Sequence, residues 1–205
     1  MYMPNISSRL PTRHVRGRSD EVPRLTVETV DNHIYFYADV DSDRCLAVIR
    51  EIRRVDADLR TEHLSRGLEG TPLTPIWLHI YSYGGDLFAG FNMADQLATI
   101  KTPIFSVIEG ICASAATLIA MPCTKRYILP NSFMLIHQLS SLVWGTHEQF
   151  KDEMGLQQKM MERLVEFYAR RTKTPTDEVR AMLTCDFWMD AETCVRLGFV
   201  DEILG

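Results

Sequence analysis

Ile80-Tyr81-Ser82-Tyr83-Gly84-Gly85-Asp86 opens the part of the chain that decides its fold, and Met134-Leu135-Ile136-His137-Gln138 closes it. Between them lies a motif of small residues, Cys112-Ala113-Ser114-Ala115-Ala116. A glycine pair after a buried strand can supply backbone N–H groups, a serine at the start of a helix a nucleophile, and a histidine a base. We interpret the three motifs as parts of one acyl-transfer site.

Strand-like and helix-like patterns alternate along most of the chain. Near-continuous apolar runs at 76–81 and 104–108 are typical of central strands buried on both faces. Helical spacing of apolar residues begins at Asp41 or Ser42 and again at Asp86, and further strand signals lie at 33–38, 126–129 and 133–136. This alternation predicts an α/β fold with a mainly parallel core.

The composition limits the classes of function. A net charge of −5, from 22 basic and 27 acidic residues, argues against a dedicated nucleic-acid binder. No apolar run reaches membrane-spanning length, and no signal peptide is recognisable. The five cysteines form no C-x-x-C pair, and His79 and His147 lack metal-ligand spacing. We expect a cytoplasmic protein with reduced thiols, no metal, no cofactor and no membrane segment.

The first 31 residues carry scattered prolines and arginines without an apolar period. We therefore predict an N-terminal arm over 1–31, either a flexible segment or a segment that is removed or docks, and one domain over 32–205. Within that domain the polar stretch 60–75 contains two glycines and two prolines, which predicts a surface loop.

A long helix is predicted from His147 to about Arg171, and Thr146 and Gln149 form a capping box at its start. Roughly 25 residues at 1.5 Å each extend about 37 Å, which is more than a domain of this size needs for its own core. We expect this helix to protrude as a handle and to pack on another subunit.

Four motifs in order resemble those of ClpP, the proteolytic subunit of the Clp protease, a serine peptidase with a crotonase-like fold. The family's Ser-Pro-Gly-Gly loop corresponds to 82–85, and its Ala-Ala-Ser-Met-Gly motif corresponds to 112–116. Its Pro-Asn-Ser…Ile-His-Gln segment corresponds to 130–138, and its C-terminal Asp-Arg-Phe-Leu-Ser-Ala…Gly-Leu-Val-Asp block to 186–201. The resemblance implies that 32–205 is a ClpP-like peptidase domain.

The resemblance also implies a role for each matched residue. Ser114 corresponds to the nucleophile, His137 to the general base, and Asp186 to the acid that orients the histidine. The backbone N–H groups of Gly85 and Ala115 correspond to the oxyanion hole. The residue before Asp186 is a cysteine, where the family usually has an arginine that links triad geometry to ring assembly.

The implied activity is that of a serine endopeptidase acting on polypeptides inside a homo-oligomeric ring chamber. The rings would stack through the 147–171 helix, and a Clp-type ATPase would be a partner. Two alternatives stay open: a phage capsid-processing protease of the same fold, and a catalytically silent ClpP-like ring subunit. Taken alone, Ser114 could be a small packing residue, and His137 could be a buried histidine with a hydrogen-bond partner. Their combination in the family order favours a triad.

Overall fold

The computed structural model describes residues 27–140 and 144–205, so most of the predicted 1–31 arm lies outside the described residues. Strands and helices alternate through both ranges. The elements are β1 (Val27–Val30), β2 (His33–Tyr37), α1 (Ser42–Ser65), β3 (Ile76–Ser82), α2 (Leu87–Leu97), β4 (Ile104–Ala113), α3 (Ala115–Ala120), β5 (Lys125–Ile128), β6 (Phe133–Ile136), α4 (His147–Ala169), α5 (Thr176–Met182), β7 (Phe187–Met189), α6 (Ala191–Leu197) and β8 (Glu202–Ile203).

Within the described ranges, eight strands form one sheet in the order β1-β2-β3-β4-β5-β8. β6 pairs with the C-terminal part of β4 and carries β7 on its other side. The β1–β2 and β6–β7 pairs are antiparallel, and the other pairs are parallel. The predicted α/β class with a mainly parallel core is therefore confirmed.

β4 is the strand on which the candidate site is built. One edge of β4 pairs with β3, while its other edge pairs first with β5 through 105–108 and then with β6 through 111–113. Gly110 lies between these two partners with a φ of 73°, a conformation that favours glycine. Because β3, β4 and β6 run parallel, their carboxyl ends meet at the same edge of the sheet.

The helices cover one face of the sheet and bury alternate strand residues against it. Ile34 and Phe36 of β2 and Leu78 and Ile80 of β3 are fully buried, as the two-residue period of a strand requires. α1 contacts β1, β2 and β3, and α3 contacts β3, β4 and β6. The core therefore lies between this face and the helices that pack on it.

Side-chain caps fix where three of the helices begin. Asp41 and Asp86 each accept a hydrogen bond from a backbone N–H in the first turn of α1 and α2. Thr146 and Gln149 form the predicted capping box at the start of α4, with both reciprocal hydrogen bonds present. These caps satisfy backbone N–H groups that have no acceptor within the helix itself.

The structure adds a strand that the sequence analysis assigned to the N-terminal arm. Val27–Val30 forms β1 and pairs with β2, so the strand predicted at 33–38 is the second one and not the first. Asp31 and Asn32 connect the two strands, and Asp31 has a φ of 54°, which a short polar side chain tolerates.

The predicted loop over 60–75 is shorter than expected, because α1 continues to Ser65. The added turns are polar and carry no apolar period, which is why the sequence pattern did not indicate a helix there. Ion pairs one turn apart support them, between Arg60 and Asp56 and between Arg66 and Glu62.

α4 spans His147–Ala169, close to the predicted range, and its two halves differ in burial. The C-terminal half buries Leu164 and Tyr168 in the core, whereas Met154 in the N-terminal half is 68% exposed and Phe150 is 45% exposed. One half of the helix is thus anchored, and the other presents apolar side chains at the surface. No helix in the described ranges combines the length and the apolar character needed to cross a membrane.

Candidate active site

Ser114 occupies a sharp turn between β4 and α3. Its φ of 55° and ψ of −128° lie outside the regions that residues with side chains usually adopt, and such strain costs about 1–3 kcal/mol. Its N–H donates a hydrogen bond to the Leu135 carbonyl oxygen at 2.8 Å, which ties the turn to the end of β6.

The structure brings His137 directly to Ser114. The Nε2 atom of His137 lies 2.8 Å from the Ser114 Oγ atom. Because Ala113 and Leu135 are paired in register, the residues that follow β4 and β6 emerge side by side. In the neutral tautomer protonated at Nδ1, the imidazole accepts at Nε2, and the Ser114 hydroxyl is then the donor.

Gly84 and Gly85 bring the end of β3 close to the same turn. A Cβ atom at Gly84 would lie 2.7 Å from the Ser114 Cβ atom, and one at Gly85 would lie 2.3 Å from the Val40 carbonyl oxygen. Both glycines have a positive φ, of 97° and 150°. Only residues without a side chain fit here without displacement of the backbone.

Two backbone N–H groups beside Ser114 are free to bind another molecule. Among the described residues, neither the Gly85 N–H nor the Ala115 N–H donates to a protein acceptor. In contrast, the neighbouring Gly84 N–H donates to the Ser82 hydroxyl and the Asp86 N–H donates to the Val40 carbonyl oxygen. Both residues predicted for an oxyanion hole therefore have an N–H group without a protein partner in the described ranges.

Asp186 lies opposite His137 in the extended strand register but makes no hydrogen bond to it. β6 and β7 pair antiparallel with Ile136 opposite Phe187, so the next pair in this register is His137 and Asp186. The Asp186 side chain is exposed and makes no hydrogen bond or ion pair within the described ranges. The structure thus unites two of the three predicted triad residues and places the third next to them.

A cleft of about 410 Å³ opens beside these residues. The β3–α2 connection forms one wall, the turn at Ser114 and the segment from His137 to Ser140 form the floor, and one face of α4 forms the other wall. The α4 residues that line it are Glu153, Leu156, Gln157, Met160, Leu164 and Tyr168. An extended peptide can lie in such a cleft with its backbone against Ser114.

A family model described as Clp protease matches residues 29–205 of the chain. The chain belongs to the Clp protease family. The match begins within β1 and continues to the last residue, so it includes every residue predicted for the site.

Relatives and a solved structure agree with this family. The ATP-dependent Clp protease proteolytic subunit 2 of Treponema denticola is 33% identical over 131 residues, 63% of this chain and 66% of that protein. The ATP-dependent Clp protease proteolytic subunit of Streptococcus pyogenes is 27% identical over 178 residues, 85% of each chain. A ClpP1 mutant from Listeria monocytogenes superposes with a TM-score of 0.71 at 23% identity, over 85% of this chain and 91% of that one, which shows the shared fold.

Membership in the Clp protease family confirms the predicted resemblance and the ClpP-like fold. At the level of the family it also confirms the prediction of a serine-type endopeptidase. The roles assigned to Ser114, His137, Asp186, Gly85 and Ala115 remain predictions.

The cysteines do not compete with Ser114 as nucleophiles. Cys112 lies two residues before it but is fully buried, and burial raises the pKa of its thiol well above the ordinary value. Burial likewise raises the pKa of Cys45 to about 11, and that of Cys123 and of Cys194 to about 12. These thiols stay protonated near neutral pH, where only a thiolate attacks. Cys185, next to Asp186, is exposed.

One polar cluster in the structure was not predicted from the sequence. On the sheet face away from the helices, His79 Nδ1 lies 2.7 Å from Glu109 Oε1, and His79 Nε2 lies 2.9 Å from His33 Nδ1. Tyr37 donates a hydrogen bond to the other Glu109 oxygen. The two-residue period of the strands predicts which of these residues share a face of the sheet. It does not predict which residues pair across strands, because that depends on the strand register.

Proposed function

We propose that this chain hydrolyses peptide bonds by acyl transfer, with Ser114 as nucleophile and His137 as general base. The observation that supports this most directly is the 2.8 Å contact between His137 Nε2 and Ser114 Oγ at the floor of a cleft. A nucleophile and a base within hydrogen-bond distance, beside unpaired backbone donors, form the arrangement that acyl transfer needs.

In the first step His137 Nε2 takes the Ser114 proton while Oγ attacks the peptide carbonyl carbon. The carbonyl π electrons move to the oxygen, and a tetrahedral oxyanion forms. His137 then gives the proton to the leaving amine as the C–N bond breaks, which leaves an ester on Ser114. A water molecule, deprotonated by the same histidine, attacks the ester, and the second tetrahedral species collapses to release the acid and restore the Ser114 hydroxyl.

The Gly85 and Ala115 N–H groups would stabilise the charge that develops on the carbonyl oxygen. Their lack of a protein acceptor supports this role, because an oxyanion would be their hydrogen-bond partner in the reaction. Loss of one such donor in other enzymes costs about 3–4 kcal/mol of transition-state stabilisation. Glycine at position 85 also lets the main chain approach the substrate closely.

Asp186 would hold the His137 ring and stabilise its protonated form. The β6–β7 register supports this role, because cross-strand neighbours have Cβ atoms about 5 Å apart. The carboxylate would accept the Nδ1 proton of His137 as a hydrogen bond and fix the tautomer that presents Nε2 to Ser114. In this proposal the contact forms when β7 is held by a neighbouring subunit or by substrate.

The proposed enzyme works as a ring-shaped homo-oligomer. The exposed apolar residues in the N-terminal half of α4, among them Phe150 and Met154, support a contact between stacked rings through this helix. Polypeptides would be cut inside the chamber, and a Clp-type ATPase would deliver them. The names of the relatives, ATP-dependent Clp protease proteolytic subunits, support such a partner.

The decisive experiment is active-site labelling with a fluorophosphonate probe, carried out on fractions separated by size. Wild-type protein in a large assembly should label, and Ser114→Ala should not label. Ser65→Ala, a surface serine in the last turn of α1, is the matched control and should label like the wild type. Labelling that persists in Ser114→Ala would contradict the assignment of the nucleophile, and absence of labelling in every fraction would favour a silent subunit.

A further inference from the structure

A buried chain of hydroxyl groups connects the nucleophile turn to the handle helix α4. The Thr117 Oγ1 atom lies 2.6 Å from the Ser114 carbonyl oxygen and 2.6 Å from the Tyr168 hydroxyl. The Thr117 backbone N–H donates to the same carbonyl oxygen at 3.0 Å. Thr117 is fully buried and Tyr168 nearly so, which means that these groups interact with one another in place of solvent.

The chemistry of the three groups fixes the direction of each hydrogen bond. A carbonyl oxygen only accepts, so the Thr117 hydroxyl donates its proton to Ser114. The Thr117 oxygen then accepts from the Tyr168 hydroxyl. Burial raises the pKa of Tyr168 well above its ordinary value, although its hydrogen bond to Thr117 lowers it in part, so this hydroxyl remains a donor at any assay pH.

The carbonyl that receives these bonds belongs to the peptide group between Ser114 and Ala115. This peptide is trans and planar, so its C=O and its N–H point in opposite directions. Two donors hold the carbonyl toward the interior, and the Ala115 N–H is therefore directed outward, where it has no protein acceptor in the described ranges. Fixing one end of the peptide plane fixes the direction of the other.

We infer that Thr117 and Tyr168 are positioning residues that orient the Ala115 N–H toward the oxyanion. The inference rests on the proposed function of this N–H. The unusual backbone of Ser114 makes the support necessary, because a strained peptide group relaxes unless several contacts hold it. Tyr168 belongs to α4, so its hydroxyl connects this helix to the turn at Ser114. The same helix forms one wall of the cleft.

Three variants test this inference with a fluorogenic peptide substrate: Thr117→Val, Tyr168→Phe and the double variant. Thr117→Ser keeps the hydroxyl and should therefore keep the wild-type rate of peptide hydrolysis. Thr174→Val is the matched control, because Thr174 is also a buried threonine whose hydroxyl donates to a backbone carbonyl, that of Leu197 at 3.1 Å. Ser114→Ala is measured in parallel to test the proposed nucleophile itself.

We expect Thr117→Val to lower kcat at least about tenfold with little change in KM, because the misdirected donor acts on the transition state. Tyr168→Phe should have a smaller effect of about threefold, since Thr117 can still donate to the carbonyl. A peptide boronate, whose adduct places an oxygen at the oxyanion position, should lose affinity in the same order. Thr117→Ser and Thr174→Val should behave like the wild type.

Thermal unfolding separates positioning from stability. Thr117→Val leaves the buried Tyr168 hydroxyl without its acceptor, and the double variant removes that unpaired group, so the melting temperature should partly recover in the double variant. Its kcat should stay low. Three results would overturn the inference. The first is recovery of kcat together with stability in the double variant, and the second is a kcat within twofold of wild type in Thr117→Val. The third is a change in KM with kcat unaffected. Activity that survives in Ser114→Ala would overturn the proposed function instead.

Discussion

Replacing Gly85 by alanine tests how closely the end of β3 must approach the site. The new Cβ atom would lie 2.3 Å from the Val40 carbonyl oxygen and 3.0 Å from the Val40 nitrogen. Val40 is held on both sides, because its N–H donates to the Gly84 carbonyl oxygen at 2.8 Å and its own carbonyl accepts from the Asp86 N–H at 2.7 Å. The residue at 85 must therefore move.

The size of the movement sets the size of the effect. An ordinary contact of a Cβ atom is 3.4 Å or longer, so the two segments must separate by roughly 1 Å. A misplacement of about 1 Å of a positioned group lowers an enzymatic rate on the order of 10²-fold. The φ of 150° adds backbone strain of about 1–3 kcal/mol, which lowers stability as well.

Gly70→Ala provides the matched control. Gly70 also has a positive φ, of 89°, but no heavy atom lies within 4 Å of an added Cβ, so this variant isolates backbone strain from the steric clash. We expect Gly85→Ala to lose about 10²-fold in kcat for peptide hydrolysis, measured below its melting temperature, while Gly70→Ala keeps its rate. If the two variants have the same kcat in assemblies of equal size, the Gly85 N–H has no role in the reaction.

Three further predictions follow from other contacts. Asp186→Asn should lower kcat on the order of 10⁴-fold with little change in KM, measured by peptide hydrolysis, because it withdraws the carboxylate that orients the base; an unchanged kcat would remove Asp186 from the triad. Iodoacetamide labelling of the folded protein should reach Cys185 first and be lost in Cys185→Ser, because the other four thiols are buried; rapid labelling of a second thiol would contradict this. Burial raises the pKa of the Asp201 carboxyl, but the hydrogen bonds from Arg126 outweigh this and hold it below its ordinary value. The melting-temperature difference between wild type and Asp201→Asn should therefore be full above about pH 4 and shrink as the pH falls further, whereas a difference that grows in acid would refute the pairing.

The central elements of the fold could be predicted because their signals are local. The apolar runs at 76–81 and 104–108 became β3 and β4, but β3 is buried on one face only, since Trp77 and His79 are partly exposed and Tyr81 is exposed. Asp41, Asp86 and Thr146 are short polar residues placed where helices begin. The proximity of Ser114 and His137 was predicted from their motifs and the family order, and the structure achieves it with parallel strands β4 and β6, whose carboxyl ends share an edge.

Other features depend on contacts that no local pattern carries. Val27–Val30 is a short edge strand of mixed polarity, and it is defined by its pairing with β2. The last turns of α1 are mostly polar, with Leu64 exposed, and are supported by ion pairs instead of a buried apolar face. The hydrogen bond between Thr117 and Tyr168 joins residues 51 positions apart, and the sequence around each of them is typical of an ordinary core residue. Such contacts arise from tertiary packing.

The strand order gives the three predicted triad residues very different local stability. Ser114 follows β4, which is hydrogen-bonded along both edges, and His137 follows β6, which is shorter and also paired on both sides. Asp186 precedes β7, which has three residues and pairs, within the described ranges, only with β6. Local opening needs the least free energy at such an edge. Asp186 can therefore move away from His137 and return through fraying of one short strand, while Ser114 and His137 stay in register.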